Sequence, residues 1–330
     1  MASSPSISVV LCTYNGQQFL PQQLDSITGQ TILPNELIVC DDGSTDSTLE
    51  QLAKFASEAP FTVRIHRNDR RLGSTRNFDQ GLALAQGQLI ALCDQDDVWE
   101  PEKLERLCHV MEDETIGGIF TDATLIDDSG RTLPENLWLR AGFTPARRAK
   151  FDRDPVGLLL RQDVATGATM MIRGRLRRMY QDIPEEWVHD GWLAWMLVLY
   201  QSEAGRLQAI ENRLTRYRIH SSQQTGSSAV ALGLPSESVG KRLTKARQAG
   251  HEHHRRIAQR FRLVREHWLS RGGSADAPVA RRLLGAIRLL ESRSMLPVAR
   301  WRRLPAVLWL LPAYIRYAGG WRSAGRDLWA

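Results

Sequence analysis

Leu89-Ile90-Ala91-Leu92-Cys93-Asp94-Gln95-Asp96-Asp97 is an apolar run that ends in three acids within four residues. Consecutive apolar residues with no polar alternation read as a strand buried on both faces, the habit of parallel sheets covered by helices. Carboxylates at the carboxyl end of such a strand stand where open α/β sheets bind ligands. They are hard oxygen donors of the kind that Mg²⁺ and Mn²⁺ take. In this reading Asp96, with Asp94 or Asp97, holds the cation and leaves positions open for phosphate oxygens. The same acids also suit a turn and helix N-cap ahead of Pro101, itself a favoured first-turn residue.

The flanking sequence repeats the strand–loop–helix pattern. Residues 7–11 predict a strand that ends in Thr13-Tyr14-Asn15-Gly16, and Leu20, Leu24 and Ile27 predict a helix over 18–28. A second strand, 37–40, stops at Asp41-Asp42-Gly43-Ser44-Thr45-Asp46, with a helix from Ser47 carrying Leu49, Leu52 and Phe55. Residues 61–66 predict a third strand, and Phe78, Leu82 and Ala85 a helix that stops at a left-handed Gly87. This alternation predicts right-handed βαβ units and a mostly parallel, Rossmann-like sheet flanked by helices. Three polar loops (13–16, 41–46 and 94–97) each follow a strand, so they gather at one rim. Beyond residue 121 the pattern loosens into an acceptor-side stretch over 127–163. Residues 164–172 predict another buried strand, where Gly167 admits a close backbone approach. Trp187-Val188-His189-Asp190 leads into an apolar helix, 191–200, and a strand over 212–219 ends at His220.

Each loop has a chemistry and a plainer alternative. Asp41-Asp42-Gly43-Ser44 offers acceptors for a pyrimidine N–H and ribose hydroxyls, while Ser44 and Asp46 equally suit a helix cap. Asp190 is the candidate general base; as a first-turn acid it also suits a capping role, which would keep it ionised. Glu185 and Glu186 are its rivals. His220, beside Arg216, Tyr217 and Arg218, reads as a metal or diphosphate contact or as a packing residue. Neither G-x-x-x-x-G-K-[ST] nor G-x-G-x-x-G occurs. His251-Glu252-His253-His254 lacks H-E-x-x-H spacing, because Arg255 stands at the fifth position, and reads as a solvated helix face.

The formal net charge of +6 is unevenly divided: residues 1–239 hold 23 Lys and Arg against 32 acids, and residues 240–330 hold 20 against 5. An acidic globular part therefore precedes a basic tail. Met1-Ala2-Ser3-Ser4-Pro5 has neither the basic nor the apolar segment of a signal peptide. Cys12, Cys40 and Cys93 end apolar runs and read as small buried hydrophobes in a reducing cytoplasm.

Several motifs follow one another in a specific order: Val9-Val10-Leu11-Cys12-Thr13-Tyr14-Asn15, Asp41 to Asp46, Leu72-Gly73 with Arg76-Asn77, and Asp94-Gln95-Asp96-Asp97. Thr166-Gly167-Ala168-Thr169, His189-Asp190-Gly191-Trp192 and Tyr217-Arg218-Ile219-His220 complete the set. Over residues 6–226 this order resembles family 2 glycosyltransferases of the GT-A fold. The Cys-Asp-Gln-Asp-Asp-Val-Trp form and the His-Asp pair most resemble bacterial rhamnosyltransferase-like enzymes of surface polysaccharide and O-antigen synthesis. The resemblance implies inverting transfer from a nucleotide-diphosphate sugar to a glycan or lipid-linked acceptor, assisted by Mg²⁺ or Mn²⁺. It implies that Thr13, Tyr14 and Asn15 line the base pocket, that Asp42 takes the base N–H, and that Arg76 lies near base or phosphate. Asp94 would face ribose and metal-bound water, Asp96 would ligate the cation, and His220 would approach metal and diphosphate. Asp190 would deprotonate the acceptor, with Gly167, His189 and Trp192 on the donor-sugar and acceptor side. Arg70-Arg71 departs from the family, which often has Asn before Leu-Gly.

The expected organisation is a catalytic domain over 1–226 (nucleotide-sugar half about 1–122, acceptor half about 123–226), a linker over 227–240, and a basic helical region over 241–330. Six serines and three glycines between Ser221 and Gly240 mark the linker. The tail sets Trp268, Trp301, Trp309, Trp321 and Trp329 among arginines. Its apolar stretch 304–315 is too short to span a bilayer. Such helices suit an anionic membrane surface on the cytoplasmic face of the inner membrane, or a helical subdomain packed on the catalytic core or on a partner, its arginines solvated. Nucleic-acid binding is not expected, since no recognition motif accompanies the charge. A sugar-nucleotide pyrophosphorylase and a non-catalytic nucleotide- or glycan-binding relative are the alternative functions.

Overall fold

Aliphatic runs at 7–12, 37–40 and 89–93 leave no exposed face, so their strands fold into the middle of a sheet with helices on both sides. The computed structural model describes residues 5–220, 239–297 and 299–329. They divide into two units.

The first unit is built on nine strands. These are β1 (Ile7–Thr13), β2 (Glu36–Asp41), β3 (Thr62–Arg67), β4 (Leu89–Asp94), β5 (Val98–Trp99), β6 (Ile116–Ile126), β7 (Thr132–Asn136), β8 (Met170–Arg173) and β9 (Arg206–Arg218). The order is β3-β2-β1-β4-β8-β6-β9-β5, with β7 paired to β6. The β3-β2-β1-β4 half is parallel throughout; β8 runs antiparallel to both β4 and β6. Helices α1 (Leu20–Thr28), α2 (Thr48–Glu58), α3 (Ser74–Leu84) and α4 (Lys103–Val110) supply the crossovers. Shorter helices α5 (Leu137–Arg140) and α6 (Pro145–Arg153) follow, and α8 (Arg177–Tyr180), α9 (His189–Leu199) and α10 (Gln201–Ala204) come after β8. Leu20, Leu24 and Ile27 of α1 and Leu104 and Leu107 of α4 close one core over Val9, Leu11, Val39 and Ala91.

Register positions the rim. Thr13 lies opposite Asp41, and Cys12 lies opposite Asp94. The loops after β1, β2 and β4 therefore leave the sheet at nearly one level, as the strand–loop pattern predicts.

Several local expectations change. Gly87 does not stop a helix in a left-handed turn; α3 ends at Leu84 and Ala85 is extended. A Cβ on Gly87 would stand 2.5 Å from the Ser8 nitrogen, so close packing on β1 requires the glycine. The strand expected over 164–172 begins only at Met170, because Gly167–Thr169 forms a 3₁₀ turn. The strand expected over 212–219 starts earlier, at Arg206, and pairs parallel to β6 through register shifts.

The second unit comprises residues 153–163, including α7 (Pro155–Leu159), with α11 (Val239–Ser270), α12 (Pro278–Ser294), α13 (Arg300–Tyr317) and α14 (Trp321–Trp329). Part of the stretch read as acceptor-side thus belongs to the helical unit. Arg282 of α12 grips the Asp154 carboxylate through two bonds of 2.6 and 2.7 Å. Leu289, Leu296, Val307, Leu310 and Tyr314 form this unit's apolar centre. Residues 227–238 of the expected linker lie outside the described residues. Among the described residues no helix is long and apolar enough to cross a membrane.

Candidate active site

The end of β4 carries the acids into a cleft of about 450 Å³ that Asp94 and Asp96 line together with Asp42, Tyr217 and His220. Asp96 Oδ2 lies 2.9 Å from His220 Nε2, and both side chains are largely buried. The Phe19 ring, 5.1 Å from the imidazole, backs the pair. Burial raises the Asp94 carboxyl to about 7, helped by the charges of Asp96 and Asp190 and opposed by Lys103. Three carboxylates thus share one electrostatic neighbourhood. Oxygen donors with one imidazole are a set that Mg²⁺ or Mn²⁺ accepts, and such ions keep positions for phosphate and water rather than filling a protein cage. Among the described residues no group of three or more His, Cys, Asp or Glu side chains is arranged to hold a metal ion.

Asp97 leaves the ligand set. Its side chain is fully buried, and Oδ1 accepts the Arg218 N–H at 2.9 Å. Burial and the neighbouring acids push its carboxyl well up. The Arg218 side chain, 1% exposed, donates to the carbonyls of Asp96, Asp127 and Asp128 and to Gln22 Oε1 at 2.8–3.1 Å. Buried beneath the acids, Lys103 Nζ donates to Ala168 O (2.7 Å) and Thr215 Oγ1 (2.9 Å), and burial lowers its amine to about 7.

The loops after β1 and β2 hold each other. Thr13 Oγ1 donates to Asp41 Oδ2 at 2.8 Å, and Asp41 Oδ1 accepts the Ser44 N–H at 2.8 Å. Asp41 is therefore a loop organiser. Asn15 has a left-handed φ of 47°; its N–H donates to Ser44 Oγ, and its Oδ1 accepts from Thr45 N–H. Asp42 faces the cleft and accepts the N–H groups of Leu72 (2.6 Å) and Gly73 (2.8 Å), so it shapes the 68–73 loop as well.

Asp190 stands at the start of α9. Oδ1 accepts the Gly191 N–H at 2.6 Å, and Oδ2 accepts the Gly167 N–H at 3.2 Å. The latter bond ties the acid to the turn before β8. Beside it the His189 ring stacks on Phe78 with centroids 3.8 Å apart, and burial lowers its pKa to about 3. A Cβ on Gly167 would stand 2.3 Å from His189 Nε2, so this turn accepts only glycine.

Three expectations fall elsewhere. Arg76 lies outside this cleft, in a neighbouring cavity, 3.6 Å from Glu185. Glu185, paired there, and Glu186 are both exposed and line no part of this cleft. Trp192 is 1% exposed and packs near Trp187, which leaves no surface for a sugar. Two residues had no assigned role. Gln95 clasps Tyr14 at both its N–H (2.8 Å) and its carbonyl (3.0 Å). Arg71, not Arg76, lines the cleft, with its guanidinium 4.0 Å from the Tyr14 ring centroid. The unusual Arg70-Arg71 pair was the available signal for it.

A sheet rim that gathers carboxylates, an imidazole and an arginine around one cleft defines an α/β enzyme for an anionic, nucleotide-like ligand. The comparisons make that class specific. Residues 8–179 match the model of glycosyl transferase family 2, and the chain belongs to that family. An uncharacterised glycosyltransferase of Nostoc sp. is 26% identical over 231 residues, covering 68% of each protein. In fold, the chain is similar to S. aureus TarS 1–349 crystallised with UDP-GlcNAc (TM-score 0.58, 15% identity, 93% of this chain and 81% of that one). It is also similar to a mannosyltransferase from Pyrobaculum calidifontis in complex with GDP-Man and Mn²⁺ (TM-score 0.53, 17% identity, 99% and 79%). The protein is a glycosyltransferase of GT-A architecture.

Proposed function

We propose that the chain moves a sugar from a nucleotide-diphosphate donor to a glycan or lipid-linked hydroxyl in surface polysaccharide synthesis, with inversion at the anomeric carbon. The observation that carries this reading is the cleft lined by Asp42, Asp94, Asp96 and His220, with the Asp190 charge close enough to act on Asp94. Asp96 and His220 would hold Mg²⁺ or Mn²⁺, whose charge neutralises the departing diphosphate. Tyr14, Asn15 and Asp42 would bind the nucleoside, Arg71 the base or phosphates, and Asp94 the ribose. Two N–H donors keep Asp190 oriented. It takes the acceptor proton as the hydroxyl oxygen bonds to the anomeric carbon and the carbon–phosphate-oxygen bond breaks. The basic helices would bring the enzyme to an anionic membrane on its cytoplasmic side, where a lipid-linked acceptor resides.

The test incubates the purified chain with Mn²⁺, a panel of sugar nucleotides and candidate acceptors, and follows nucleoside diphosphate release. Asp190→Asn should lower turnover by about 10²–10⁴-fold, or about 3–5 kcal/mol of barrier, while donor affinity stays within a few-fold. Undiminished turnover in that variant removes Asp190 as the base.

A further inference from the structure

Apolar exposure in this protein is concentrated rather than scattered. Of eleven exposed large hydrophobic side chains among the described residues, eight lie between Met295 and Trp329, which makes them a surface feature to be explained. On α13, Trp301, Leu304, Leu308, Trp309 and Ile315 recur at helical spacing, with Trp309 80% exposed. They form one stripe along about 21 Å of helix. The opposite side of α13 (Arg303, Val307, Leu310 and Tyr314) is buried. Helix α14 adds Trp321 and Trp329, also exposed.

The charge beside the stripe has a single sign. Between Met295 and Trp329 the sequence has six arginines and one acid, Asp327. Asp327 is buried, bonded to Arg293 at 2.7 Å and to the Tyr314 hydroxyl. Arg302, Arg316, Arg322 and Arg326 are exposed, while the one acid of this stretch is turned into the helical core. Pro305 and Pro312 lie inside α13 and bring no N–H, so the carbonyls of Trp301 and Leu308 lose their usual intrahelical donor. Such carbonyls need water, which headgroups supply and hydrocarbon does not. Tryptophans, an apolar stripe and exposed arginines together match an anionic phospholipid interface.

We propose that the outer stripe of α13, with Trp321 and Trp329 of α14, is the surface by which the chain lies in the plane of an anionic bilayer. This rests on the membrane attachment read above and names the face responsible. The test uses the full chain with sedimented vesicles, either phosphatidylcholine alone or phosphatidylcholine with phosphatidylglycerol, plus tryptophan emission and size-exclusion with light scattering. The wild type should bind the anionic vesicles, blue-shift its emission and release on added salt. Leu308→Ser with Trp309→Ser should cut partitioning at least about tenfold. Both side chains are exposed, so thermal unfolding and donor-nucleotide affinity should hold. Arg302→Gln with Arg316→Gln should weaken anionic binding and leave neutral vesicles unaffected. A wild type that ignores anionic vesicles overturns both the face and the membrane attachment. Serine variants that bind as well as wild type overturn only the face. A wild-type dimer that those variants convert to monomer assigns the stripe to a second copy and overturns the proposal.

Discussion

Replacing Gly167 with alanine tests the geometry that orients the proposed base. The added Cβ would lie 2.3 Å from His189 Nε2, so the ring or the turn must give about 0.7 Å to reach even 3.0 Å. The ring is not free to yield, being buried and stacked on Phe78 at 3.8 Å. Overpacking of this kind costs about 1–3 kcal/mol, or a few degrees of melting temperature per kcal/mol for a domain of this size. The turn is the alternative way to yield, and its N–H is the one that holds Asp190 Oδ2 at 3.2 Å. A shift approaching 1 Å in a reacting group costs about 10²-fold in rate. Gly167→Ala should therefore lose stability and turnover together, with donor affinity nearly unchanged. His189→Ala destabilises on its own by emptying the space, but that space should also receive the methyl group added by Gly167→Ala. In the double variant the two costs should fall short of additivity by about 0.5–3 kcal/mol, read by urea unfolding. Strictly additive single and double variants, or a Gly167→Ala enzyme with unchanged melting and rate, would refute the contact.

Two further outcomes follow from the site's electrostatics. His189 is held neutral to about pH 3, whereas an unfolded histidine takes its proton near 6.5; its stabilising contribution is complete above 6.5 and is lost as pH falls toward 3. Wild-type stability should thus drop by about 2 kcal/mol more between pH 7 and pH 5 than that of His189→Gln, by urea unfolding at each pH; equal slopes contradict the burial. Asp96→Asn preserves a polar side chain beside His220 while removing one of the charges that raise the Asp94 carboxyl. Added Mn²⁺ should raise the melting temperature of the wild type but not of this variant, and an equal rise in both removes Asp96 from the cation site.

The sheet was legible because its signal is local. Residues 89–94 are apolar up to the very residue that turns polar, and strand, loop and helix alternate at regular intervals through α4. The acids at its rim were legible for the same reason. What escaped depends on partners distant in sequence. Asp41 and Asp97 are indistinguishable from ligands until Thr13 and Arg218 are seen to bond them. Arg76 sits in the first turn of α3, and only the fold reveals that it turns toward Glu185 while Arg71 covers Tyr14. Trp192 shares its motif with Asp190, yet two residues along a helix point about 200° apart, so one faces the turn before β8 and the other the core.

The same distant contacts explain how a fold tolerates several acids at one rim. Burial first, and the like charges beside them second, raise Asp94 and Asp97, which an unsupported loop would relieve by turning outward to solvent. That escape is closed from beneath and from the side. Lys103 lies under the cluster, bonded to Ala168 and Thr215, and Arg218 pins the main chain of the acidic turn at Asp96 while its own N–H holds Asp97. Both basic side chains come from elements whose other ends are anchored in the sheet or its core, α4 and β9. Truncating either would strip buried carbonyl oxygens of their donors, Ala168 for Lys103 and Asp96, Asp127 and Asp128 for Arg218. The acidic turn is therefore tied to the end of β9, and a cation bound beside Asp96 would lower the Asp94 carboxyl from about 7 and complete its ionisation.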